Sequence, residues 1–437
     1  MAVYIVDGGN RLEGSVPIHG AKNSALPILA AAVNCGPCVI ENCPRLSDIE
    51  VSLNILEHLG CRTTREGTRV CIEPGTDGDY CIPEHLMCAM RSSIVFLGGI
   101  LAKFGKAEMT LPGGCELGAR PIDIHLASLR KMGAKIVEDG GLLLCDAANG
   151  LSGADIVFPF PSVGATENVL IAAATAKGRT RIIGAAREPE IGDLITFLIG
   201  CGAQIELGID GIITIDGVRE LHGYNHSVIP DRIVAGTILC AAAVTGGEVE
   251  ITNVKPAHLL TTMAYLHNAG CKVKTRLDSI LLKAPERMNE LGIIKTQPYP
   301  GFPTDMQAIL MAVATRADGT SVFVENIFDG RYRHVGELLK LGADIKLVDR
   351  VAVVTGVADL KGAQLRCTDL RGGAAAIVAA LSAKGRSEIK DIWHVERGYE
   401  DLAGNLTVLG AKIRRGDDQW IQKVAAGRGG VNAEQKE

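Results

Sequence analysis

Six stretches of small apolar residues recur along the chain, at 25–33, 93–104, 168–176, 233–244, 306–314 and 374–383. They are rich in alanine and apolar on nearly every face, which predicts helices buried on all sides and not one-sided surface helices. Polar or charged residues stand at the start of each: Lys22-Asn23, Arg91-Ser92, Thr166-Glu167, Asp231-Arg232, Thr304-Asp305 and Asp369-Leu370-Arg371. Pro27 is expected in the first turn of its helix, where a missing N–H costs little. A second, leucine-bearing helix ends in glycine six times, at Gly60, Gly133, Gly202, Gly270, Gly342 and Gly410. Successive glycines lie 73, 69, 68, 72 and 68 residues apart, so one unit of roughly seventy residues is used six times. Each glycine suits a left-handed helix cap, and the residues after it alternate toward a strand pair, as in Lys135-Ile136-Val137 and Leu142-Leu143-Leu144.

At 437 residues the chain is too long for one ordinary core, and six units divide most simply into two lobes of three. Pro230 breaks the pattern between the third and fourth copies, which places the boundary near 226–231. Residues 3–18 hold two short strand-like runs around Gly8-Gly9 and stand outside the first full unit, while 424–437 has no apolar periodicity and reads as a disordered tail. Only 4% of residues are aromatic and 52 are glycine, which describes small aliphatic layers joined by tight turns. No apolar run reaches the ~20 residues of a membrane span, and the start lacks a signal pattern, so a cytoplasmic protein without membrane insertion is expected. The thirteen cysteines are scattered through apolar stretches, as expected of reduced thiols packed as small hydrophobes. Cys35, Cys38 and Cys43 begin with a Cys-x-x-Cys spacing, but no second pair of matching spacing follows, which argues against zinc. A net charge of −5 argues against a nucleic-acid surface, so any anion site must be a local basic cluster.

The candidate chemistry begins in the stretch 110–125, where Gly113, Gly114 and Gly118 lie between Pro112 and Pro121 and exclude regular structure. This loop carries one thiol, Cys115, five residues before Arg120. With a reference pKa of about 8.5, such a thiol is mostly a proton donor near neutrality, and a nearby arginine converts it to a nucleophile. Lys22, Arg91, Arg232 and Arg371 recur at helix starts, where unpaired N–H groups already favour anions. Arg120, Arg331 and Arg397 join them, and starts from both lobes aimed at one cleft would draw in phosphate-bearing ligands. Asp305 and Asp369 each have two readings, a helix N-cap or a functional carboxylate, and for Asp305 the function would be a general base. His125, two residues after Asp123, carries no weight by spacing alone. There is no P-loop, dinucleotide fingerprint or Ser/His/Asp signature.

Taken together, several motifs resemble the UDP-N-acetylglucosamine 1-carboxyvinyltransferase family (enolpyruvyl-UDP-GlcNAc synthase, MurA) over residues 1–423. They are Gly20-Ala21-Lys22-Asn23, Met90-Arg91-Ser92-Ser93, Leu111-Pro112-Gly113-Gly114-Cys115 with Gly118-Ala119-Arg120-Pro121, and Ser162-Val163-Gly164-Ala165-Thr166-Glu167. Asp231-Arg232, Phe302-Pro303-Thr304-Asp305-Met306-Gln307, Thr368-Asp369-Leu370-Arg371 and Glu396-Arg397-Gly398-Tyr399-Glu400 complete the set. The resemblance implies an α/β enolpyruvyl transferase fold, a two-lobed inside-out α/β barrel of six βαβαββ repeats, three per lobe. One lobe would span 22–229; the other would take 1–21 together with 230–423.

It also implies an enzyme of peptidoglycan synthesis that adds the 3′-hydroxyl of UDP-N-acetylglucosamine to C2 of phosphoenolpyruvate and then expels phosphate, with no metal or cofactor. Cys115 would protonate C3 and be the target of fosfomycin-type inhibitors, and Asp305 would be base or orienter for the sugar hydroxyl. Lys22, Arg120 and Arg397 would hold phosphoenolpyruvate, with Arg91, Arg331 and Arg371 around them. The remaining substrate-binding positions are Asn23, Pro121, Ile122, Asp123, Ile124, His125, Ser162, Val163, Gly164, Arg232, Ile327 and Asp369. The chain departs from the pattern at Phe160, where some members carry lysine, at Gly330, where asparagine is common, and at Gly372-Gly373, which would loosen a hinge or alter affinity. The rival readings are the sister transferase that acts on shikimate 3-phosphate, a non-catalytic UDP-sugar-binding regulator, and an RNA-end cyclase; the last needs ATP chemistry and a basic surface that the sequence lacks.

Overall fold

A computed structural model describes residues 2–75, 78–110 and 122–417. Cys115, Arg120 and Pro121, and the tail 424–437, lie outside the described residues. The chain divides into two compact units, one of His19–Asp231 with Pro298–Pro300, the other of residues 2–18, 232–297 and 301–417. The division falls at 18/19 and 231/232, a few residues from the bounds read from the sequence. The reason is pairing at the ends of the first unit: the Ala21 N–H donates to the Ile229 carbonyl at 2.7 Å and the Asp231 N–H to that of His19 at 2.9 Å. Residues 298–300, expected in the second lobe, group with the first unit, where the Tyr299 N–H donates to Glu188 Oε1 at 3.4 Å.

Each unit contains three four-stranded sheets of one topology. An edge strand pairs parallel with its neighbour, and the remaining two pairings are antiparallel, as in Cys81–Ile82, Lys106–Thr110, Leu142–Asp146 and Lys135–Asp139. The repeat is permuted where a unit closes. Asn225–Ser227, after the third repeat, supplies the parallel edge strand beside Cys38–Glu41 of the first. In the second unit Glu13–Pro17 supplies the edge strand beside Glu248–Thr252, and Ala2–Asp7 inserts between Arg386–Lys390 and Lys412–Asp417. The opening residues therefore complete the fourth and sixth repeats. Asn42 and Asn253, both left-handed, follow equivalent strands and donate from their amides to the carbonyls of Val228 and Ile18, at 2.8 and 2.6 Å, tying the borrowed strands in place.

The interior of each unit is helical. Lys22–Ala32, Phe96–Phe104 and Val163–Ala173 pack together in the first, and Arg232–Val244, Thr304–Ala314 and Leu370–Ser382 in the second. Every residue of Arg232–Val244 is buried, because alanine and small aliphatic side chains let three helices approach closely with no side turned to water. Strands alternate buried and exposed positions around them, as Leu142–Asp146 does, so the sheets lie outside the helices. All six predicted cap glycines have left-handed backbone, with φ from 87° at Gly60 to 103° at Gly270.

Five of the six buried helices begin earlier than their apolar runs suggest; the second begins at Phe96, after the 3-10 turn Arg91–Val95. The third starts at Val163 with Ser162 as its cap, so Thr166 and Glu167 lie inside it, and the first starts at Lys22. Pro27 is consequently interior, contrary to its expected place in the first turn, and has no N–H for the carbonyl of Asn23. Lys22, Arg232, Thr304 and Asp305 belong to the first turns themselves, where unpaired N–H groups tolerate polar and charged side chains.

Candidate active site

In the second unit the site is built on two helix starts. Asp305 lies in the first turn of Thr304–Ala314, whose cap position is Pro303, so Asp305 is not spent on capping. Its Oδ1 accepts from Arg331 Nη2 at 2.6 Å and its Oδ2 from Arg371 Nη2 at 3.1 Å. The two arginine side chains are only 2% and 4% exposed, whereas that of Asp305 is 27% exposed, so the carboxylate is fixed from behind and reachable in front. Arg331 also donates to the Thr304 carbonyl through Nε and Nη2, and Arg371 Nη1 donates to the Tyr399 hydroxyl at 3.4 Å. Tyr399 in turn pairs with Thr237 Oγ1 at 2.9 Å, which extends the network into the buried helices.

Asp369 shows the other outcome. Its Oδ1 accepts from the backbone N–H groups of Arg371 and Gly372 at 2.9 and 3.0 Å, the N-cap geometry. Gly372 and Gly373 stand where the packing leaves no room for a Cβ. A Cβ at Gly372 would sit 2.5 Å from Thr368 Oγ1, and one at Gly373 2.5 Å from Val395 Cγ2, so these glycines close the packing. Arg397 is half-buried at the end of Trp393–Glu396.

Sequence reasoning missed Glu325. This buried carboxylate accepts from Thr296 and Thr304 hydroxyls, each at 3.0 Å, and from the N–H groups of Ile327 and Phe328 at 2.8 and 3.1 Å. It therefore sets the backbone at Ile327 and the residue before Asp305. Its signal was a lone charge directly after the apolar strand Thr320–Val324.

In the first unit the polarity is reversed. Lys22 opens its helix and is 9% exposed; its Nζ donates to Asp48 Oδ2 at 3.1 Å, and its backbone N–H to Asp231 Oδ2 at 3.3 Å. Asn23 beside it is half-buried, and Arg91 opens a short 3-10 turn, Arg91–Val95. Ile122 precedes the helix Asp123–Lys131, which contains Ile124 and His125. The fold brings His125 against the Ser162-Val163-Gly164 stretch: a Cβ on Gly164 would lie 3.0 Å from His125 Cε1.

Asn168 fixes that ring. Its Nδ2 approaches His125 Nδ1 at 2.7 Å and donates to the Ile94 carbonyl at 2.9 Å, while its Oδ1 accepts from the Gly98 N–H at 2.7 Å. An amide donor at Nδ1 assigns the His125 proton to Nε2, on the Gly164 side. Burial pushes the His125 pKa down to about 4, with Asp123 pulling the other way. The imidazole is neutral near pH 7 and acts as a hydrogen-bond donor, not a cation. Three consecutive polar residues, Thr166, Glu167 and Asn168, inside a buried helix were the available signal for this network. Phe160, at 42% exposed, stands just before it, and Ser162 caps the helix by accepting from the Ala165 N–H at 3.4 Å.

Each unit thus holds an anchored charge at the start of a buried helix, a fixed carboxylate in the second and a restrained ammonium in the first. Neither half contains a hydride-transfer or nucleotide-hydrolysis motif; both suit handling of a hydroxyl and an anion. Among the described residues no helix is long and apolar enough to cross a membrane.

The EPSP synthase (3-phosphoshikimate 1-carboxyvinyltransferase) family matches residues 6–406, which defines the class: the chain belongs to this family. It is 45% identical over 416 residues to UDP-N-acetylglucosamine 1-carboxyvinyltransferase 2 of Caldanaerobacter subterraneus subsp. tengcongensis, covering 95% of this chain and 100% of that one. It is 46% identical to UDP-N-acetylglucosamine 1-carboxyvinyltransferase 1 of Symbiobacterium thermophilum, covering 94% and 95%. The crystal structure of the enolpyruvyl transferase NikO from Streptomyces tendae superposes with a TM-score of 0.86 at 25% identity, covering 95% of this chain and 98% of that one. Within the class the chain thus belongs with the UDP-N-acetylglucosamine 1-carboxyvinyltransferases.

Proposed function

We propose that this protein is a transferase that moves the enolpyruvyl group of phosphoenolpyruvate to the 3′-hydroxyl of UDP-N-acetylglucosamine, the step that commits the sugar to peptidoglycan. The observation that carries the site assignment is Asp305, accessible in front and held through both oxygens by the buried Arg331 and Arg371. A carboxylate locked in this way accepts the hydrogen of a sugar hydroxyl along a fixed direction and orients the oxygen for attack.

The reaction balances as addition followed by elimination. The 3′-oxygen bonds to C2 of phosphoenolpyruvate while Cys115 gives its proton to C3, and the hydroxyl proton leaves toward Asp305. In the second step C3 returns a proton to the Cys115 thiolate, the C2–O bond to phosphate breaks, the proton held by Asp305 leaves with the phosphate, and the vinyl group is restored on the sugar. Protonation at C3 builds cationic character at C2, so acid catalysis acts on the carbon being attacked. Lys22, Arg120 and Arg397 bind the phosphate and carboxylate of phosphoenolpyruvate, and Arg91, Arg331 and Arg371 supply surrounding positive charge. The family resemblance assigns Arg120, Pro121, Ile122, Asp123, Ile124, Ser162, Val163, Gly164, Asp305 and the backbone near Ile327 to the nucleotide-sugar side, with Asn23, His125, Arg232 and Asp369 as further substrate contacts.

Cys115 is also the residue a fosfomycin-type epoxide alkylates. The reading requires no metal or organic cofactor for turnover and puts the enzyme in the cytoplasm, supported by free thiols throughout the described residues.

The full chain, incubated with phosphoenolpyruvate and UDP-N-acetylglucosamine, is expected to release phosphate in step with formation of an enolpyruvyl ether of the nucleotide sugar. Phosphate release with shikimate 3-phosphate alone would move the chain to the sister activity. Binding of the nucleotide sugar with no phosphate released would make it a regulatory protein.

A further inference from the structure

Away from the site just described, the first unit gathers three cysteines that are far apart in sequence. The Sγ atoms of Cys35, Cys38 and Cys201 all lie within 4.8 Å of one another, and the residues are 3%, 2% and 0% exposed. The Cys-x-x-Cys pair was discounted as a zinc site for want of further ligands nearby in sequence. Folding supplies the third thiol from the end of Pro189–Gly200, a separation of more than 160 residues that spacing does not reveal. Cys43, the third member of the sequence cluster, is not among them.

The spacing suits one shared ion. Zinc–sulfur bonds of about 2.3 Å in tetrahedral geometry place sulfurs about 3.8 Å apart, so three thiols inside a 4.8 Å limit need little movement. The turn that presents two of them is held rigidly. A Cβ on Gly36 would lie 2.6 Å from the Gly223 nitrogen, and one on Gly223 would overlap the Pro37 carbonyl, so the 35–38 turn is pressed against 222–223.

The same contact brings an imidazole to the rim. The His222 N–H donates to the Cys201 carbonyl at 2.9 Å. Its Nδ1 lies 2.9 Å from the Gly223 carbonyl, and a carbonyl only accepts, which assigns the ring proton to Nδ1 and leaves Nε2 with its lone pair. That Nε2 is 3.1 Å from where a Cβ at Gly202 would be, directly beside Cys201. The ring is exposed and stands outside the three-thiol set.

We propose that Cys35, Cys38 and Cys201 form a three-thiolate site for a soft divalent cation of the zinc class. The ion replaces the thiol protons, which pass to solvent. Its role is structural: it staples the segment after the first buried helix, Lys22–Ala32, to the end of Pro189–Gly200.

The test is cobalt(II) titration of the full chain after reduction and removal of bound metal. One equivalent is expected to produce the thiolate charge-transfer and visible bands of four-coordinate cobalt, which zinc then displaces, and zinc is expected to raise the melting temperature. C201S should weaken the apparent affinity at least about tenfold, and C43S should match the parent chain. Should C201S fail to fold, alkylation mapping of the parent chain decides. Zinc must then protect Cys35, Cys38 and Cys201 together. Absence of the thiolate band, an unchanged band in C201S, or equal alkylation of the three with and without zinc would overturn the proposal.

Discussion

The first turn of a buried helix is used in opposite ways by the two units. In the second unit Asp305 is a carboxylate held by two buried guanidinium groups; in the first, Lys22 is an ammonium held by Asp48, with Asp231 on its backbone N–H. The first turn of the buried helix therefore carries an acid restrained by cations in one copy and a cation restrained by acids in another. The difference teaches that the repeat specifies where charge stands and its neighbours specify the sign. Burying a charge without such partners costs several kcal/mol, so each restraint is also a condition for the fold.

The largest expected effect concerns the residue that belongs to neither arrangement. Cys115→Ser should lower turnover by roughly 10²–10⁴-fold, the range of a lost general acid, and should abolish labelling by an epoxide phosphonate. Labelling that moves to another cysteine without loss would remove Cys115 from the mechanism. Asp305→Asn comes next. It keeps the volume between Arg331 and Arg371 but removes the charge, and kcat should fall by about 10²-fold with the KM for phosphoenolpyruvate nearly unchanged. Near-normal kcat would show that the bracketed carboxylate is only structural.

Asp48→Asn is the mirror experiment in the first unit. Releasing the Lys22 ammonium from a charge-assisted hydrogen bond worth about 1.5–3 kcal/mol should raise the KM for phosphoenolpyruvate about tenfold, with a smaller change in kcat. A larger loss in kcat than in affinity would mean that Lys22 acts on the transition state more than on binding.

These residues differ in how visible they were beforehand. The cap glycines and buried helices follow from backbone geometry and side-chain volume, which are local, so the period of about seventy residues exposed them. Lys22 and Asp305 stood out because charge beside an apolar run is rare. Asp48, Asn168 and Glu325 did not, since each acts through a partner that only folding supplies: Lys22 Nζ, His125 Nδ1 and the Thr304 hydroxyl. Asp305 and Asp369 looked alike in sequence, and they separate only because Pro303 takes the cap position ahead of one while the other caps its own helix. The opening strands are the same lesson at larger scale, because their partners lie in the fourth and sixth repeats.

The smallest effects test the symmetry of the two units through pH. Each holds a buried neutral imidazole, His125 in the first and His334 in the second, both pushed down to about 4 mainly by burial. With an ordinary value of 6.5, the unfolded chain binds protons that the folded chain refuses between pH 6.5 and 4. Stability should therefore fall as pH drops through that window, by about 1.4 kcal/mol per pH unit for each histidine. His334→Gln should reduce the slope of denaturant stability against pH; an unchanged slope would contradict the assignment.

Glu167 works in the opposite sense. Burial, then Glu190 and Glu188, hold its carboxyl well above the ordinary range, so the folded chain retains a proton that the unfolded chain loses above about pH 4.5. Its contribution is lost as pH rises, and Glu167→Gln should gain stability relative to the parent chain as pH increases from 4.5.

The most direct test of the account is to run the reaction in D₂O and examine C3 of the product by mass spectrometry. Protonation followed by elimination predicts solvent deuterium in the vinyl group of the enolpyruvyl ether. A product formed at full rate with no deuterium at C3 would show that the group moves without the proton transfer on which the assignments of Cys115 and Asp305 depend.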